Sequence, residues 1–394
     1  MYIHHGKGLG GAPLSLYYLI KNLDKTKYEP VVLFLHNSPV VDLYKQNNIK
    51  IAGILNINDF SHTNIYWYRW YHAKYFAKAC LDSLKTYIYV ANKYLKEIKP
   101  DIVHLNTSSL IAWAHAAKKN NIPVITHVRE PLSEGYFGLR RNFVKKSVLK
   151  NSTFIVPISQ NDAKPWAKSN KINIIYNPVD HNKFNKHIDK NDFLQKYNLD
   201  LNEPKILFLG GLSQEKGTLI AFKIFEQLLL IMPEAKLIVA GYFDLNLSSK
   251  YSLKKYFVRN RYNLKVKNIL ENIKENIVFT GPITNVEQAI AACDVLINPF
   301  TVSHFSRPII EAGFMSKPVI ASRIAPLDEI IIHGVTGYLI DTNNIGVWVE
   351  KLYGLLTNKK LNETLGKNAY ELCNKTFTVD MHVSKIENLY DKCY

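Results

Sequence analysis

Residues 298–313 read NPFTVSHFSRPIIEAG. An apolar strand ends at Asn298, a polar loop follows, and Pro308 opens a helix, where a residue without an N–H fits the first turn. Amides at such a loop and helix start can face an anion. Glu311, one turn further in, offers two oxygens that can accept both hydroxyls of a ribose. Its neighbours Ile309, Ile310 and Phe314 are apolar, so Glu311 is expected to face a crevice and not bulk water. Strand, loop and helix in that order make one step of a parallel α/β sheet.

Working outward, the same alternation runs twice along the chain. Strands are expected at Tyr2–His4, Pro30–Leu35, Ile51–Ile54, Ile102–Leu105, Val124–His127 and Phe154–Pro157, with a short one at Ile174–Ile175. Helical spacing lies between them at Leu14–Leu23, Tyr87–Ile98 and Ser109–Lys119. The pattern restarts at Lys205, with strands at Ile206–Leu209, Lys236–Ala240, Ile277–Phe279, Val295–Ile297, Val319–Ala321 and Tyr338–Ile340. The polar stretch between the two runs reads as a linker with a short helix. The expected division is an N-terminal domain over residues 1–178, a linker over 179–204, a C-terminal domain over 205–375, and a last helix over 376–394 that packs back on the first domain.

Bulk properties narrow the function. The 394 residues suffice for two domains, and 47% hydrophobic with 21% charged residues is a globular composition. Apolar runs stay short of the roughly 18–20 residues that cross a membrane. The start of the chain lacks a signal-peptide core. Cys80, Cys293, Cys373 and Cys393 lack metal-ligand spacing, so reduced thiols in a cytoplasmic protein and no metal site are expected. The net charge of +17 is unevenly shared: Met1 to Pro178 holds 24 basic and 10 acidic residues, a balance of +14. A basic half suits nucleic acid, an anionic membrane surface or an anionic substrate. No helix-turn-helix, RNP or zinc pattern is visible, which argues against nucleic acid.

Two glycine turns carry further chemistry. Near the start, HHGKGLGG (residues 4–11) lets backbone amides approach a phosphate at a helix start. Gly6, Gly8 and Gly11 match a dinucleotide fingerprint, yet the second strand runs into His36-Asn37 and not an acidic residue, so a dehydrogenase is disfavoured. At 208–217, FLGGLSQEKG sets Lys216 at a helix N-terminus, where the dipole does not favour a cation unless an anion docks there. The fourth motif, HGVTGYLI at 333–340, is a turn leading into a strand.

In this order, the motifs resemble glycosyltransferase family 4, retaining enzymes of the GT-B fold, over nearly the whole chain. GLGGAPLSL, KPDIVHLN, IPVITHVREP, VPISQNDA, IIYNPVD, LIVAGY, VFTGPI, ACDVLINPF and RPIIEAGFMSKPVIAS extend the likeness. The resemblance implies two Rossmann-like domains, each a doubly wound parallel sheet, facing a central cleft that closes on a nucleotide-diphosphate sugar. It implies that Gly10 and Gly11 lie under the donor, together with Gly210 and Gly211. Lys216 would bind the diphosphate, Glu311 the ribose, and the backbone near Pro282 and Ile283 the base. His127 would sit at the sugar's reacting face, making His127, Lys216 and Glu311 the catalytic set. Ser303, Ser306, Pro308 and Ile309 complete the implied donor loop, and Asn106, Arg129 and Glu130 are expected to meet the acceptor. Two positions depart from the family: Ser303 replaces a glutamate that contacts the donor sugar, and Gly211 replaces an arginine. Arg307 is expected to supply the missing charge, because a guanidinium can grip phosphate bidentately.

The resulting expectation is a metal-independent, retaining transferase without cofactor, building a surface polysaccharide such as capsule or lipopolysaccharide, or a glycolipid. Its alternative is a nucleotide-sugar-binding pseudo-transferase without turnover, suggested by Ser303 and Gly211. Asn64–Lys99, with Lys74, Lys78 and Lys85 on one helical face and aromatics at its start, is expected to lie on the inner face of the cell membrane. The basic stretch Leu139–Lys150 adds to that surface.

Overall fold

Short β-branched runs bounded by turn residues pair in parallel, and the periodic stretches between them form the crossovers. The computed structural model describes residues 1–6, 8, 10–60, 73–132, 136–245 and 253–394. They separate into two units, Met1–Pro178 with Phe377–Tyr394, and Val179–Thr376.

In the first unit the order is β1 (Tyr2–His4), α1 (Gly11–Asn22), β2 (Val31–Phe34), α2 (Pro39–Gln46), β3 (Lys50–Ile54), α3 (Ala73–Lys85), α4 (Ala91–Ile98), β4 (Val103–Leu105), α5 (Ile111–Lys119), β5 (Val124–Val128), α6 (Leu139–Asn151), β6 (Phe154–Pro157) and α7 (Gln160–Ala163). The second unit follows with α8 (Asn191–Lys196), β7 (Lys205–Phe208), α9 (Thr218–Leu229), β8 (Lys236–Ala240), α10 (Leu253–Ile273), β9 (Ile277–Gly281), α11 (Val286–Ala292), β10 (Val295–Asn298), α12 (Arg307–Phe314), β11 (Val319–Ser322), β12 (Gly337–Ile340), α13 (Ile345–Thr357) and α14 (Lys359–Thr376). The last helix, α15 (Val379–Asp391), belongs to the first unit again.

Each unit holds a six-stranded sheet, in the orders β3-β2-β1-β4-β5-β6 and β12-β11-β10-β7-β8-β9. In both units the chain winds outward from a central strand and then restarts on its other side. The reversals fall between β1 and β4 and between β7 and β10, where doubly wound sheets leave a crevice at the strands' carboxyl ends.

Alternation within the strands divides the cores. In the first unit Tyr2, Val32, Phe34 and Ile125 pack under α1, α2 and α15, through Leu16, Ile20, Tyr44 and Ile386. Ile3, Leu33, Val103 and Val124 face the opposite layer of α4 and α5, centred on Trp113. In the second unit Ile206, Phe208, Leu237 and Ile297 lie under α9 and α13, with Phe222, Phe225 and Trp348.

Two expectations need correction. Residues 174–175 form no strand: the segment makes a single bridge, Ile172 to Ile155, beside β6. Pro157 ends β6 and has no N–H to extend a ladder. The helix expected from Tyr87 starts far earlier, at α3, and passes through a π turn at Thr86–Val90. There Thr86 Oγ1 donates to the Asp82 carbonyl at 2.7 Å, competing for a helical acceptor. The aromatic start of the proposed interfacial segment, residues 64–72, lies outside the described residues.

Helix α15 closes one face of the first sheet with Val379, Val383, Ile386, Leu389 and Tyr390. Ile386→Ala is expected to cost about 3 kcal/mol in a denaturant melt of the full chain, because a fully buried side chain leaves a cavity there.

Candidate active site

In the second unit the loops after β7 and β10 are stitched together at the reversal of strand order. Thr301 N donates to the Glu215 carbonyl at 2.9 Å, and Thr301 Oγ1 donates to the Gln214 carbonyl at 3.1 Å. Gly217 makes this approach possible. It adopts φ +79°, and a Cβ there would stand 1.9 Å from the Pro299 carbonyl oxygen. Gly211, at φ +56°, lies against the backbone of Tyr242 in the same way. Lys216 is exposed beside this seam, its N–H donating to Ser213 Oγ at 3.2 Å. Burial, and then the charge of Lys216, holds the His304 imidazole below its ordinary range.

The β10 loop enters α12 through Ser306. Its hydroxyl accepts from Asn298 Nδ2 at 2.8 Å and does not cap the helix. Ile309 N is satisfied by the Ser306 carbonyl at 3.2 Å, and Pro308 has no donor to satisfy. One turn apart on α12, Arg307 Nε donates to Glu311 Oε1 at 2.7 Å, and both side chains are largely buried. The guanidinium expected to face a phosphate therefore shares one carboxylate oxygen with the residue expected to hold a ribose. The i, i+4 spacing brings them together. Ser303 Oγ donates to the Ala325 carbonyl at 2.6 Å. Gly210, Pro282 and Ile283 also stand in the turns at the carboxyl ends of this sheet, after β7 and β9.

In the first unit, Gly10 caps α1 and Gly11 begins it, and a Cβ at either would meet none of the described residues within 4 Å. Asn106, just past β4, ties the reversal together: its Nδ2 lies 3.0 Å from His4 Nδ1 and 3.3 Å from the Ala12 carbonyl. Its Oδ1 accepts from Arg129 Nε at 2.7 Å. Arg129 also donates to Asn177 Oδ1. Burial lowers its pKa to about 10, so it remains charged at neutral pH. Arg129 and Glu130 stand just beyond the carboxyl end of β5. His127, by contrast, lies within that strand and is 0% exposed.

Residues not singled out by sequence join this group. Thr107 Oγ1 donates to Glu130, Ser109 Oγ donates to Asp59, and the two hydroxyls lie 3.2 Å apart. This chain links two carboxylates from distant positions. Loss of hydration, aided by the charges of Asp59 and Asp162, raises the Glu130 carboxyl from 4.5 to about 7. His104 and Tyr390 are buried below His127 and were equally hidden. His104 lies in a quoted motif, but nothing local marks its partner. Among the described residues, no three His, Cys, Asp or Glu side chains converge to hold a metal ion. Nor is any helix among them long and apolar enough to cross a membrane.

Two outcomes test this geometry. Gly217→Ala is expected to cost at least about 3 kcal/mol by thermal melting, since it combines a left-handed backbone with a backbone clash. The raised Glu130 pKa means that the folded chain binds its proton more tightly than the unfolded chain. That contribution is complete below pH 4.5 and is lost as pH rises through about 7. Glu130→Gln is therefore expected to melt with the parent at pH 4.5 and above it at pH 8.

The family described as Glycosyltransferase Family 4 matches residues 9–183, and that described as Glycosyl transferases group 1 matches residues 189–372. An uncharacterized glycosyltransferase of Methanocaldococcus jannaschii is 32% identical over 130 residues, 33% of this chain and 36% of the relative. The match thus spans about a third of that relative's length. The UDP-Gal:alpha-D-GlcNAc-diphosphoundecaprenol alpha-1,3-galactosyltransferase of Escherichia coli is 24% identical, over 76% of this chain and 77% of its own. Anabaena HepE in complex with UDP and glucose shares the fold at a TM-score of 0.77, with 19% identity over 99% of both chains. The lipopolysaccharide outer core galactosyltransferase WaaB gives 0.67 with 17% identity over the whole of both. The fold is GT-B, and the chain, matched along both sheets, belongs to glycosyltransferase family 4, with a second unit of the group 1 type.

Proposed function

We propose that the chain is a retaining, metal-independent glycosyltransferase that moves a sugar from a nucleotide-diphosphate donor to a glycan or lipid-linked acceptor. The observation that carries this reading is the seam between the β7 and β10 loops, which sets Lys216 and the buried Arg307–Glu311 pair beside one sheet reversal. Transfer releases a nucleoside diphosphate, so the barrier falls where fixed positive groups meet the charge growing on the leaving oxygen. Lys216 and the loop amides supply that field, with Arg307 orienting Glu311 toward the ribose. Gly10 and Gly11, at the start of α1, are assigned to the donor's diphosphate on the family resemblance. The base lies along Pro282 and Ile283, and Ser303, Ser306 and Ile309 line the donor loop. Uridine diphosphate is the leading nucleotide, because HepE was solved with UDP and the E. coli relative is named for UDP-Gal.

The first unit takes the acceptor through Asn106, Arg129 and Glu130. His127 acts from beneath Arg129. The protein works in the cytoplasm on the inner face of the cell membrane, in the assembly of capsule, lipopolysaccharide or a related glycan. Exposed apolar residues support that placement: Tyr75, Leu81, Leu84, Ile88 and Tyr89 on α3 and the π turn, and Leu139 and Phe143 on α6. Phe60 lies between Arg140 and Phe143 of α6, at 4.6 and 5.8 Å, and Phe76 of α3, at 6.3 Å, joining the two helices into one surface. Lys74, Lys78 and Lys85 are exposed along it.

A panel of UDP-, GDP-, ADP- and CMP-sugars, followed by thermal shift and by transfer to a synthetic lipid diphosphate bearing N-acetylglucosamine, tests the reading. A UDP-sugar is expected to stabilise the chain and to be consumed. Lys216→Ala is expected to lower turnover about 100-fold or more. Binding without turnover on any acceptor would favour the pseudo-transferase, a reading supported by the Ser303 hydroxyl's bond to the Ala325 carbonyl where family members place a glutamate. For the membrane surface, sedimentation with vesicles containing anionic lipid is expected to pull down the parent. The triple change Lys74→Glu, Lys78→Glu and Lys85→Glu should abolish binding, and equal binding to neutral vesicles would refute the electrostatic part.

A further inference from the structure

Four buried side chains from β1, β4, β5 and α15 are joined end to end in the first unit. Tyr2 Oη lies 2.8 Å from Tyr390 Oη, Tyr390 Oη 2.7 Å from His104 Nδ1, and His104 Nε2 2.7 Å from His127 Nδ1. The two imidazoles stack with centroids 4.8 Å apart. At the far end, Arg129 Nη2 makes a longer contact of 3.4 Å with the same His127 Nδ1. His382, also on α15, stacks against His127 at 6.0 Å and 9°.

The donors of Arg129 fit only one direction of the hydrogens along this string. A guanidinium has only donors, so the His127 Nδ1 that faces it presents a lone pair. Burial first, and then the charge of Arg129, keeps both imidazoles well below their ordinary range, so each carries one proton. His104 must then donate from Nε2, which leaves its Nδ1 to accept from the Tyr390 hydroxyl. The Tyr390 oxygen in turn accepts from Tyr2. His127 keeps its single proton on Nε2, an atom without a hydrogen-bond partner. The opposite arrangement would set an N–H of His127 against the N–H groups of Arg129.

We propose that His104 and Tyr390 are positioning residues: by fixing His127 as the Nε2–H tautomer, they keep any N–H of His127 from facing Arg129, so that guanidinium holds its place at the carboxyl end of β5. The C-terminal helix thereby sets the geometry of the acceptor subsite from about 260 residues away in sequence, a separation read from Arg129 and Tyr390. The inference rests on the reading of Arg129 as an acceptor contact. It adds a tautomer assignment and two residues to which the sequence alone gave no role.

Histidine-labelled full-length chain, studied by 15N–1H spectroscopy, provides the test, alongside kinetics with a UDP-sugar and the synthetic lipid diphosphate acceptor. The parent is expected to show His127 protonated on Nε2. Tyr390→Phe, which keeps the ring and removes the hydroxyl, is expected to spread that proton over both nitrogens. It should also raise the acceptor KM about tenfold and leave the donor KM within about twofold. His104→Gln, whose amide can still donate, is expected to retain more acceptor affinity than His104→Phe. A parent His127 protonated on Nδ1, or a Tyr390→Phe variant with both KM values changed alike or neither changed, overturns the proposal. If the chain transfers no sugar, the proposed function fails by itself, and the tautomers of the parent and of Tyr390→Phe still decide the positioning role.

Discussion

The approach of Gly217 to the Pro299 carbonyl is the contact on which the second unit's candidate site depends. A doubly wound sheet guarantees only that two loops leave neighbouring strands in a region of reversal. It does not say how closely those loops come. Here the absence of a Cβ at a left-handed residue lets one loop lie on the other, and Thr301 then bonds to the Gln214 and Glu215 carbonyls. Lys216 is carried by one loop and Arg307 by the helix that follows the other. Neither would have a fixed place relative to the other if the loops splayed.

The first unit solves a similar problem with side chains instead of a glycine. Asn106 joins β1, α1 and Arg129 across its reversal, using an amide that both donates and accepts. Around it lies an unusual density of buried polar groups: Arg129, four histidines, Glu130 and the Thr107–Ser109 pair. Burying a charge is costly unless hydrogen bonds replace the lost water. Arg129 has such bonds to two asparagines, and Glu130 responds by holding its proton near neutrality. The balance of +14 over the first 178 residues says little about this interior. A net positive charge can attract anions at long range, whereas recognition at close range depends on individual groups and their hydrogen bonds.

Much of the fold was readable because parallel strands buried on both faces appear as short continuous apolar runs, and twelve such runs fall in two sets. Glu311, Lys216 and the glycine turns were readable for a related reason: each lies at a strand end or helix start whose chemistry is local. The brief run at 174–175 looked the same as the others. Whether an edge run becomes a strand depends on what its neighbour offers, and Pro157 offers no donor. Over α3 the sequence marked the polar side of a helix through Lys74, Lys78 and Lys85, whereas its buried side holds little more than Ala79, so the extent of the helix was not marked by a broad apolar stripe.

What the amino-acid order determined by itself is the succession of elements, the division into two sheets and the residue types waiting at each strand end, since all of these follow from interactions within a few residues. The tertiary structure alone decided the partners. Arg307 turned toward Glu311, His127 settled inside the sheet with Arg129 above it, and Tyr390 came from the far end of the chain to complete a hydrogen-bonded string through His104. The pairings of His127, Arg129, His104 and Tyr390 depend on distances between segments that only packing sets, whereas Arg307 and Glu311 meet through their spacing on one helix.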